Sequence, residues 1–334
     1  MQRISIARGP SMEVLPPDPT TNISEPTPPP FSPARPPRST VLYGPNGLRA
    51  GWSIVIYVAV LVALLFLVGL ELRWLTPHLP ASMRGTRGSG FHPAVAILSE
   101  ASALIAVLLA TAGMARLEHR FTADYGLAGF DRVRQFLIGL VCGFALLSLL
   151  VGILVGTHHL TLTQSHLTLA WSLKYAAAWA LAFFLVGMTE EFMLRGYLLY
   201  TLARGIRFWP AAILLAILFG ALHKGNPGES PFGLVAAALI ALVFSLSLWR
   251  LGHLWWAIGF HMSWDWAESY FYGTPDSGGV SAGRLMEATA HGAKLLSGGA
   301  TGPEGSVWCG LVILLAAILV WKTQPNRGIQ LLKK

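Results

Sequence analysis

The hydrophobic positions of this chain are gathered in long continuous runs rather than scattered at helical or strand spacing. From residue 51 onwards there are eight apolar segments: 51–70, 93–115, 136–156, 171–200, 209–224, 232–249, 254–272 and 306–321. A helix needs about 20 residues to cross the hydrocarbon core of a bilayer, so several of these runs have the length of a transmembrane helix. The pattern therefore predicts an all-α membrane protein, built as a bundle of about eight transmembrane helices.

The fourth apolar segment is longer than one membrane crossing requires. It has about 30 residues, against about 20 for a span. We expect it to be tilted, broken, or continued as a cytoplasmic helix to Arg207, and Gly196 is the expected position of a break. A second long stretch, 273–305, is rich in glycine and contains one weakly amphipathic run, 281–296. Its pattern indicates a long loop and no particular function.

The two ends of the chain differ in composition from the apolar segments. Residues 1–48 contain 12 of the 21 prolines and few apolar positions with any period. Such a segment cannot offset the entropy lost on ordering, so we interpret 1–48 as a disordered cytoplasmic tail. The predicted organisation is this tail, a multi-pass membrane domain over 49–322, and a short basic cytoplasmic tail over 323–334.

Composition and charge support this assignment and exclude another class of protein. Hydrophobic residues make up 54% of the chain and charged residues 12%, whereas a soluble domain carries about 25% charge. The net charge of +8 does not indicate a nucleic-acid partner, because the 24 Lys and Arg are distributed mostly between the apolar segments. Of these, 16 lie in the tails and the even-numbered connections and six on the opposite side. The excess places both termini in the cytoplasm.

The cysteines of the chain indicate neither disulfide bonds nor a metal site. Cys142 and Cys309 are the two cysteines of the chain, and each lies inside an apolar run. A thiol in such a position behaves as a small buried hydrophobe. They therefore predict neither a disulfide framework nor a zinc-binding cysteine pattern.

Ionisable side chains inside the apolar segments carry the candidate chemistry. Each costs at least a few kcal/mol at the centre of a span and is retained where it is paired, hydrated or used. In the fourth segment Glu191 and Arg195 are four residues apart, so they share a helix face and are expected to form a buried ion pair. Glu190 is rotated by about 100° from Glu191 and points to another face. An unpaired carboxylate there suits a general base.

Two further segments contribute histidines. His223 ends the fifth apolar run, one turn after Phe219. In the seventh segment His261 and Asp265 are four residues apart, and Glu268 continues the same stripe. Such groups either bind a divalent metal through imidazoles and carboxylates, or activate water directly while a second pair stabilises an oxyanion. The residues alone fit both chemistries.

Each of these groups also fits a purely structural role. A histidine near a helix end is commonly a satisfied polar core residue, and a Glu-Glu-Arg cluster fits an ion-pair lock. Four further groups are interpreted as structural or loop residues: Glu100, His158, His159 and His166. The convergence of ionisable groups on three separate spans nevertheless predicts a polar intramembrane cavity that holds a functional site. Glu190 is expected to face a cytoplasmic vestibule, whereas His223 falls nearer the outer side.

At these residues the chain resembles the CAAX-protease and bacteriocin-processing family of intramembrane peptidases, also called CPBP or Abi. That family is recognised by Glu-Glu-x-x-x-Arg, Phe-x-x-x-His and His-x-x-x-Asn on successive helices of an eight-helix bundle. The matching region is 136–272, and the three motifs occur in order as Glu190-Glu191 with Arg195, Phe219 with His223, and His261 with Asp265. Asp265 departs from the family, whose best-known members have Asn there, and an ionised Asp cannot donate a hydrogen bond to an oxyanion.

The resemblance implies a catalytic role for five residues. Glu190 is the expected base that activates water, and His223 shares that task or binds a metal. His261 and Asp265 are expected to support the developing oxyanion. Glu191 is close enough in sequence to share the proton transfer.

The resemblance also implies supporting residues and leaves the metal open. Arg195 is expected to hold the fourth helix in register through Glu191, and Phe219 is expected to support the site. A divalent metal such as zinc would take Glu190, His223 and His261 as ligands, although this is not the His-Glu-x-x-His arrangement that makes zinc secure.

The expected function is therefore that of an intramembrane endopeptidase in a prokaryotic cell membrane. Its partners would be a membrane-associated protein or peptide substrate and the lipid bilayer, with no nucleic acid. Two alternatives stay open: a proton- or ion-coupled transporter with a relay through the ionisable residues, and a non-catalytic scaffold or immunity protein that keeps the fold without the chemistry.

Overall fold

A computed structural model describes residues 41–44, 47–80, 83 and 92–325. These residues belong to one unit that starts at Val41. Residues 1–40 and 326–334, which hold most of the two predicted tails, lie outside the described residues. At the end of the predicted N-terminal tail, β1 (Tyr43–Gly44) and β2 (Gly47–Leu48) pair as a short antiparallel hairpin.

Helices, most of them apolar, form the greater part of the described structure. In chain order they are α1 (Ala50–Leu75), α2 (Pro93–Leu117), α3 (Arg132–Gly156), α4 (Leu169–Met193), α5 (Leu199–Ile206), α6 (Phe208–Leu222), α7 (Pro231–Leu251), α8 (Trp255–Asp265), α9 (Lys294–Ser297) and α10 (Val307–Thr323). Six helical stretches among the described residues are long and apolar enough to cross a membrane. The seventh and eighth predicted segments are shorter, because α8 has 11 residues before a π-helical turn and α10 has 17. The prediction of an all-α membrane bundle is confirmed.

The long fourth segment is both broken and continued. A π-helical turn, Leu194–Leu198, joins α4 to α5 and gives one helical stretch of 38 residues, Leu169–Ile206. The break lies at Gly196, whose φ of −79° and ψ of −121° are not helical. Gly196 is thus the position that the sequence indicated.

The connections between helices gather at two ends of the bundle. We call one end the loop face: it carries the α1–α2, α3–α4, α6–α7 and α8–α10 connections. There β3 (Leu160–Gln164) pairs antiparallel with β4 (Met286–Ala290), and Thr301 Oγ1 donates to the carbonyl of Gly228 at 3.1 Å. We call the other end the terminal face. There the His253 ring lies 3.0 Å from Asp131. The strands were not predicted, because β4 lies inside the weakly amphipathic run and its partner is over 100 residues away.

Two large clusters of buried apolar side chains, and a third small one around Trp179, fill the bundle. The first large cluster joins mainly α1, α2, α4, α5 and α6, and the second joins mainly α3, α7, α8 and α10. Helices α7 and α8 contribute to both, α8 through Ile258 to the first and Phe260 to the second. These two helices therefore connect the halves of the bundle.

Glycines bring α3 and α8 into backbone contact. A Cβ added at Gly139 would lie 2.2 Å from the Trp256 carbonyl oxygen, and one at Gly143 would lie 2.3 Å from the Phe260 carbonyl oxygen. Small residues four positions apart allow this close approach in membrane helices, where helix association depends on van der Waals packing. This contact sets the depth and rotation of α8, which carries His261 and Asp265.

We expect Gly143→Ala to destabilise the protein, because the added methyl group overlaps the backbone of α8 and the helices must separate. The cost should be about 1–3 kcal/mol, as for other overpacked sites, and thermal melting in detergent measures it. Gly152→Ala is the matched control on the same helix, since nothing lies within 4 Å of its added Cβ. Equal melting temperatures for the two variants would contradict the close contact.

Candidate active site

Helices α4, α6 and α8 bring the residues that the sequence singled out to one cavity. The cavity has a volume of about 510 Å³, and Glu190, Phe219, His223, His261 and Asp265 line it. These residues are separated by up to 75 positions in the chain, and the helix packing alone brings them together. The predicted polar intramembrane cavity is present among the described residues.

The predicted pair of Glu191 and Arg195 forms behind the cavity wall. Arg195 Nη1 lies 2.8 Å from Glu191 Oε1, and the two side chains are 2% and 0% exposed. The guanidinium also lies over two aromatic rings, 4.8 Å from the centroid of Phe219 and 5.6 Å from that of Phe244. These rings stabilise the buried cation in addition to the carboxylate.

His261 is surrounded by carboxylates on both sides of its ring. Its Nδ1 lies 3.1 Å from Glu191 Oε1. Its Nε2 lies 3.5 Å from Asp265 Oδ2 and 3.7 Å from Glu190 Oε2. An imidazolium has a donor on each nitrogen, so the doubly protonated ring matches this arrangement. His261 is thus held among three carboxylates in the cavity wall, with the Phe244 ring stacked on it at 5.6 Å.

Glu190 differs from its neighbour in exposure. Its side chain is 31% exposed, whereas that of Glu191 is fully buried. The rotation between successive helix positions accounts for this difference, because it points Glu191 towards Arg195 and Glu190 into the cavity. Glu190 is therefore the carboxylate of the pair that water in the cavity can reach.

His223 reaches the cavity from the end of α6. It begins the 3₁₀ turn His223–Gly225, and its Nδ1 lies 2.8 Å from the carbonyl oxygen of Phe219. The Nδ1–H donates this hydrogen bond, because a carbonyl oxygen can only accept, and in the neutral ring Nε2 is then the acceptor. The Phe219 ring lies against the imidazole with 4.6 Å between centroids. Phe219 therefore contacts both His223 and Arg195.

Three carboxylates near the site were missed or set aside in the sequence analysis. Glu100, interpreted there as structural, lines the same cavity as Glu190. The signal for it was present, since it is an ionisable residue inside an apolar segment. Asp276 and Glu304 also line the cavity, but they come from the 273–305 stretch. No local pattern in that stretch indicates that it folds back over the bundle.

The cavity extends towards the loop face. The loop residues that line it all come from connections at that face, among them Thr76, Met83, Asn226 and Ser277. The expected vestibule on the side of the termini is therefore wrong. His223, which the sequence placed nearer the opposite side, lies at the end of α6 that this cavity reaches.

The residues that lie close enough to share a metal ion are not the ones that the sequence suggested. Among the described residues, one group of at least three His, Cys, Asp or Glu has ligand atoms that all lie within 4.8 Å of one another, and it consists of Glu268, Asp276 and Glu304. The set for which the sequence left a metal open, Glu190, His223 and His261, is not such a group.

Comparison with known proteins supports the motif-based resemblance. Residues 170–267 match the family model described as type II CAAX prenyl endopeptidase, Rce1-like. This segment runs from the start of α4 to the π-helical turn after α8 and contains all three motifs. It confirms the resemblance to CPBP intramembrane peptidases and supports a membrane protease at family level. No match was found among curated proteins or solved structures.

We expect Glu191→Ala to destabilise the protein more than Arg195→Lys. The first change leaves a buried guanidinium without its carboxylate, and breaking a buried pair in this way costs about 3–5 kcal/mol. The second keeps a cation and loses the planar guanidinium that stacks on the rings. Thermal melts of purified variants measure both, with the exposed Glu287→Gln as a control for loss of a carboxylate. Equal losses in the first two variants would argue against the pair.

Proposed function

We propose that this protein is an intramembrane endopeptidase that hydrolyses a peptide bond in a membrane-associated protein or peptide, with Glu190 as the base that activates water. The observation that carries the proposal is the placement of a partly exposed Glu190 in the same cavity as His223 and as His261, whose ring nitrogens face carboxylates. Peptide hydrolysis requires a deprotonated water, a proton donor for the leaving amine and positive charge near the tetrahedral oxygen. The cavity offers one group for each task.

Glu190 and His223, which both line the cavity, activate the attacking water. Glu190 accepts a proton from the attacking water and later delivers it to the leaving amine. The unprotonated Nε2 of His223 is available to orient the same water, because Nδ1 is occupied by the Phe219 carbonyl. Both groups line a cavity that reaches the loop face, so water has a polar route to them.

His261 stabilises the oxyanion. Its Nε2 lies between Glu190 and Asp265, at 3.7 and 3.5 Å, and its positive charge faces the position where negative charge develops. Asp265 orients the ring and offsets its charge. Glu191 fixes the opposite nitrogen at 3.1 Å, so the ring needs little reorganisation during the reaction.

The cavity wall also fits a substrate that carries apolar side chains. Much of the lining is aromatic or aliphatic, including Trp179, Phe183, Ile240, Phe260 and Ile313. An extended peptide from a membrane-associated protein would bury its apolar side chains there while its backbone faces the polar groups. This supports a membrane-associated substrate and does not require a prenyl group on it.

The transporter and scaffold hypotheses predict other positions and other exposures for the same ionisable residues. A proton relay would distribute ionisable groups at several depths across the bundle, whereas here they line one cavity. A scaffold would not need a partly exposed carboxylate beside a histidine held by carboxylates. Glu190, His223 and His261 lack the spacing of a shared metal site among the described residues, so the glutamate mechanism is favoured over a metal-dependent one. The glutamate mechanism continues in the presence of a chelator, whereas a metal-dependent reaction stops.

We expect Glu190→Gln and His223→Ala each to abolish cleavage, with a loss of at least about 10²-fold, because each removes a group that acts on the water. The assay follows cleavage of a library of membrane-inserted peptides by mass spectrometry in proteoliposomes, with and without chelator. Glu287→Gln serves as the control with normal activity. Full activity in either site variant, with the protein still inserted and monodisperse, would refute the assignment.

We expect Asp265→Asn to keep most of the cleavage activity, because an amide oxygen still accepts from His261 Nε2 and the resembling family has Asn at this position. Asp265→Ala should lose at least about tenfold, since Nε2 then loses the nearer of its two carboxylates. The kcat values of the two variants in the same assay test this. Equal values for Asn and Ala would show that Asp265 does not orient His261.

A further inference from the structure

A second group of acidic side chains lies beside the cavity, outside the family motifs. Glu268 comes from the π-helical turn Trp266–Phe271 after α8, and Asp276 and Glu304 come from the 273–305 stretch. One carboxylate oxygen of each lies within 4.8 Å of the others. We call these three residues the carboxylate cluster.

Glu268 has no cationic partner among the described residues. Its side chain is fully buried, and neither Oε1 nor Oε2 accepts a hydrogen bond from the described residues. No Lys, Arg or His in the described part of the chain forms an ion pair with any member of the carboxylate cluster. A buried carboxylate without partners is costly unless a cation or a proton neutralises it.

The other two members of the cluster are oriented by hydrogen bonds. Asp276 Oδ2 accepts from Ser269 Oγ at 3.0 Å. Glu304 Oε1 accepts from Trp264 Nε1 at 2.8 Å, and its Oε2 accepts from Ser277 Oγ at 3.1 Å. These bonds hold both carboxylates in place, and each carboxylate oxygen keeps a second lone pair. The three acids are thus positioned by the fold rather than by mutual contact.

The loop backbone packs closely around Glu268. Thr274 donates to the Glu268 carbonyl oxygen from both its N–H and its Oγ1, each at 3.0 Å. Gly302 adopts a φ of +107°, and a Cβ there would lie 3.1 Å from Glu268 Oε1 and 2.0 Å from the Pro275 carbonyl oxygen. Only glycine allows the loop to close here. The 273–305 stretch is therefore built around the buried acid.

The three carboxylates are also close enough to affect one another, since one ligand oxygen of each lies within 4.8 Å of the others. Three acids this close strongly repel one another when ionised. A bound cation would remove this repulsion.

We propose that the carboxylate cluster binds one hard divalent cation, Ca²⁺ or Mg²⁺, which fastens the 273–305 stretch to the end of α8. All three side chains offer oxygen, the ligand type that these ions prefer, and the set contains neither the imidazole nor the thiolate typical of zinc. The three ligand atoms lie within 4.8 Å of one another, so a single ion at the Ca²⁺–oxygen distance of about 2.4 Å can contact all of them. This proposal does not depend on the protein being a peptidase.

The experiment measures ion binding and thermal stability on the full-length protein in detergent. After treatment with a chelator, CaCl₂, MgCl₂ and ZnCl₂ are titrated separately, followed by melting and by isothermal calorimetry. We expect one Ca²⁺ or Mg²⁺ per chain and a rise in melting temperature of about 5 °C at saturation. Glu268→Gln should abolish both signals, and in chelator it should melt at or above the wild type, because a buried charge has been removed.

Two variants separate this site from other sources of ion binding. Glu287→Gln removes an exposed carboxylate from the same stretch and should bind like the wild type. Glu190→Gln should also bind normally. Absence of binding by Ca²⁺ and Mg²⁺ in the wild type would overturn the proposal, as would a Glu268→Gln variant that still binds. Loss of binding in Glu190→Gln instead would place the ion at the catalytic cavity and overturn it too.

Discussion

The buried carboxylate of Glu191 is the point on which the site depends. One oxygen, Oε1, contacts Arg195 at 2.8 Å on its own helix and His261 at 3.1 Å on α8. It therefore connects two helices and fixes the rotation of α4. With Glu191 held inward, the next position in the helix must face elsewhere, and Glu190 faces the cavity. The pair is costly to bury, and its retention in a membrane segment is explained by this positional role.

Close helix contact and buried charge act together in this bundle. The glycines of α3 let the backbone of α8 approach closely, which brings His261 within reach of Glu191. Aromatic rings complete the enclosure, since Phe219 contacts both Arg195 and His223, and Phe244 stacks on His261. Few of these contacts are strong alone. Together they hold polar groups in fixed directions within an apolar surrounding, which is the condition for electrostatic stabilisation of a transition state.

The acidic character of the cavity is unusual for a space enclosed by apolar helices. Glu100, Glu190, Asp265, Asp276 and Glu304 all line it, and His261 is placed among carboxylates. This distribution divides the cavity into a part around Glu190 and His261, which carries the motif residues, and an acidic part at the loop face. The 273–305 stretch, which covers the second part, thereby becomes a component of the site rather than a simple connection.

The sequence by itself determined the membrane class, the apolar segments, the break at Gly196, and the identity of the motif residues on α4, α6 and α8. These features depend on runs of hydrophobicity and on spacing within one helix, both of which are local. Only the tertiary structure decided that the cavity extends to the loop face, that Glu100, Asp276 and Glu304 line it, and that β3 pairs with β4. Those features depend on contacts between residues far apart in the chain. Periodicity and composition are local properties, so they do not specify which distant segments come into contact.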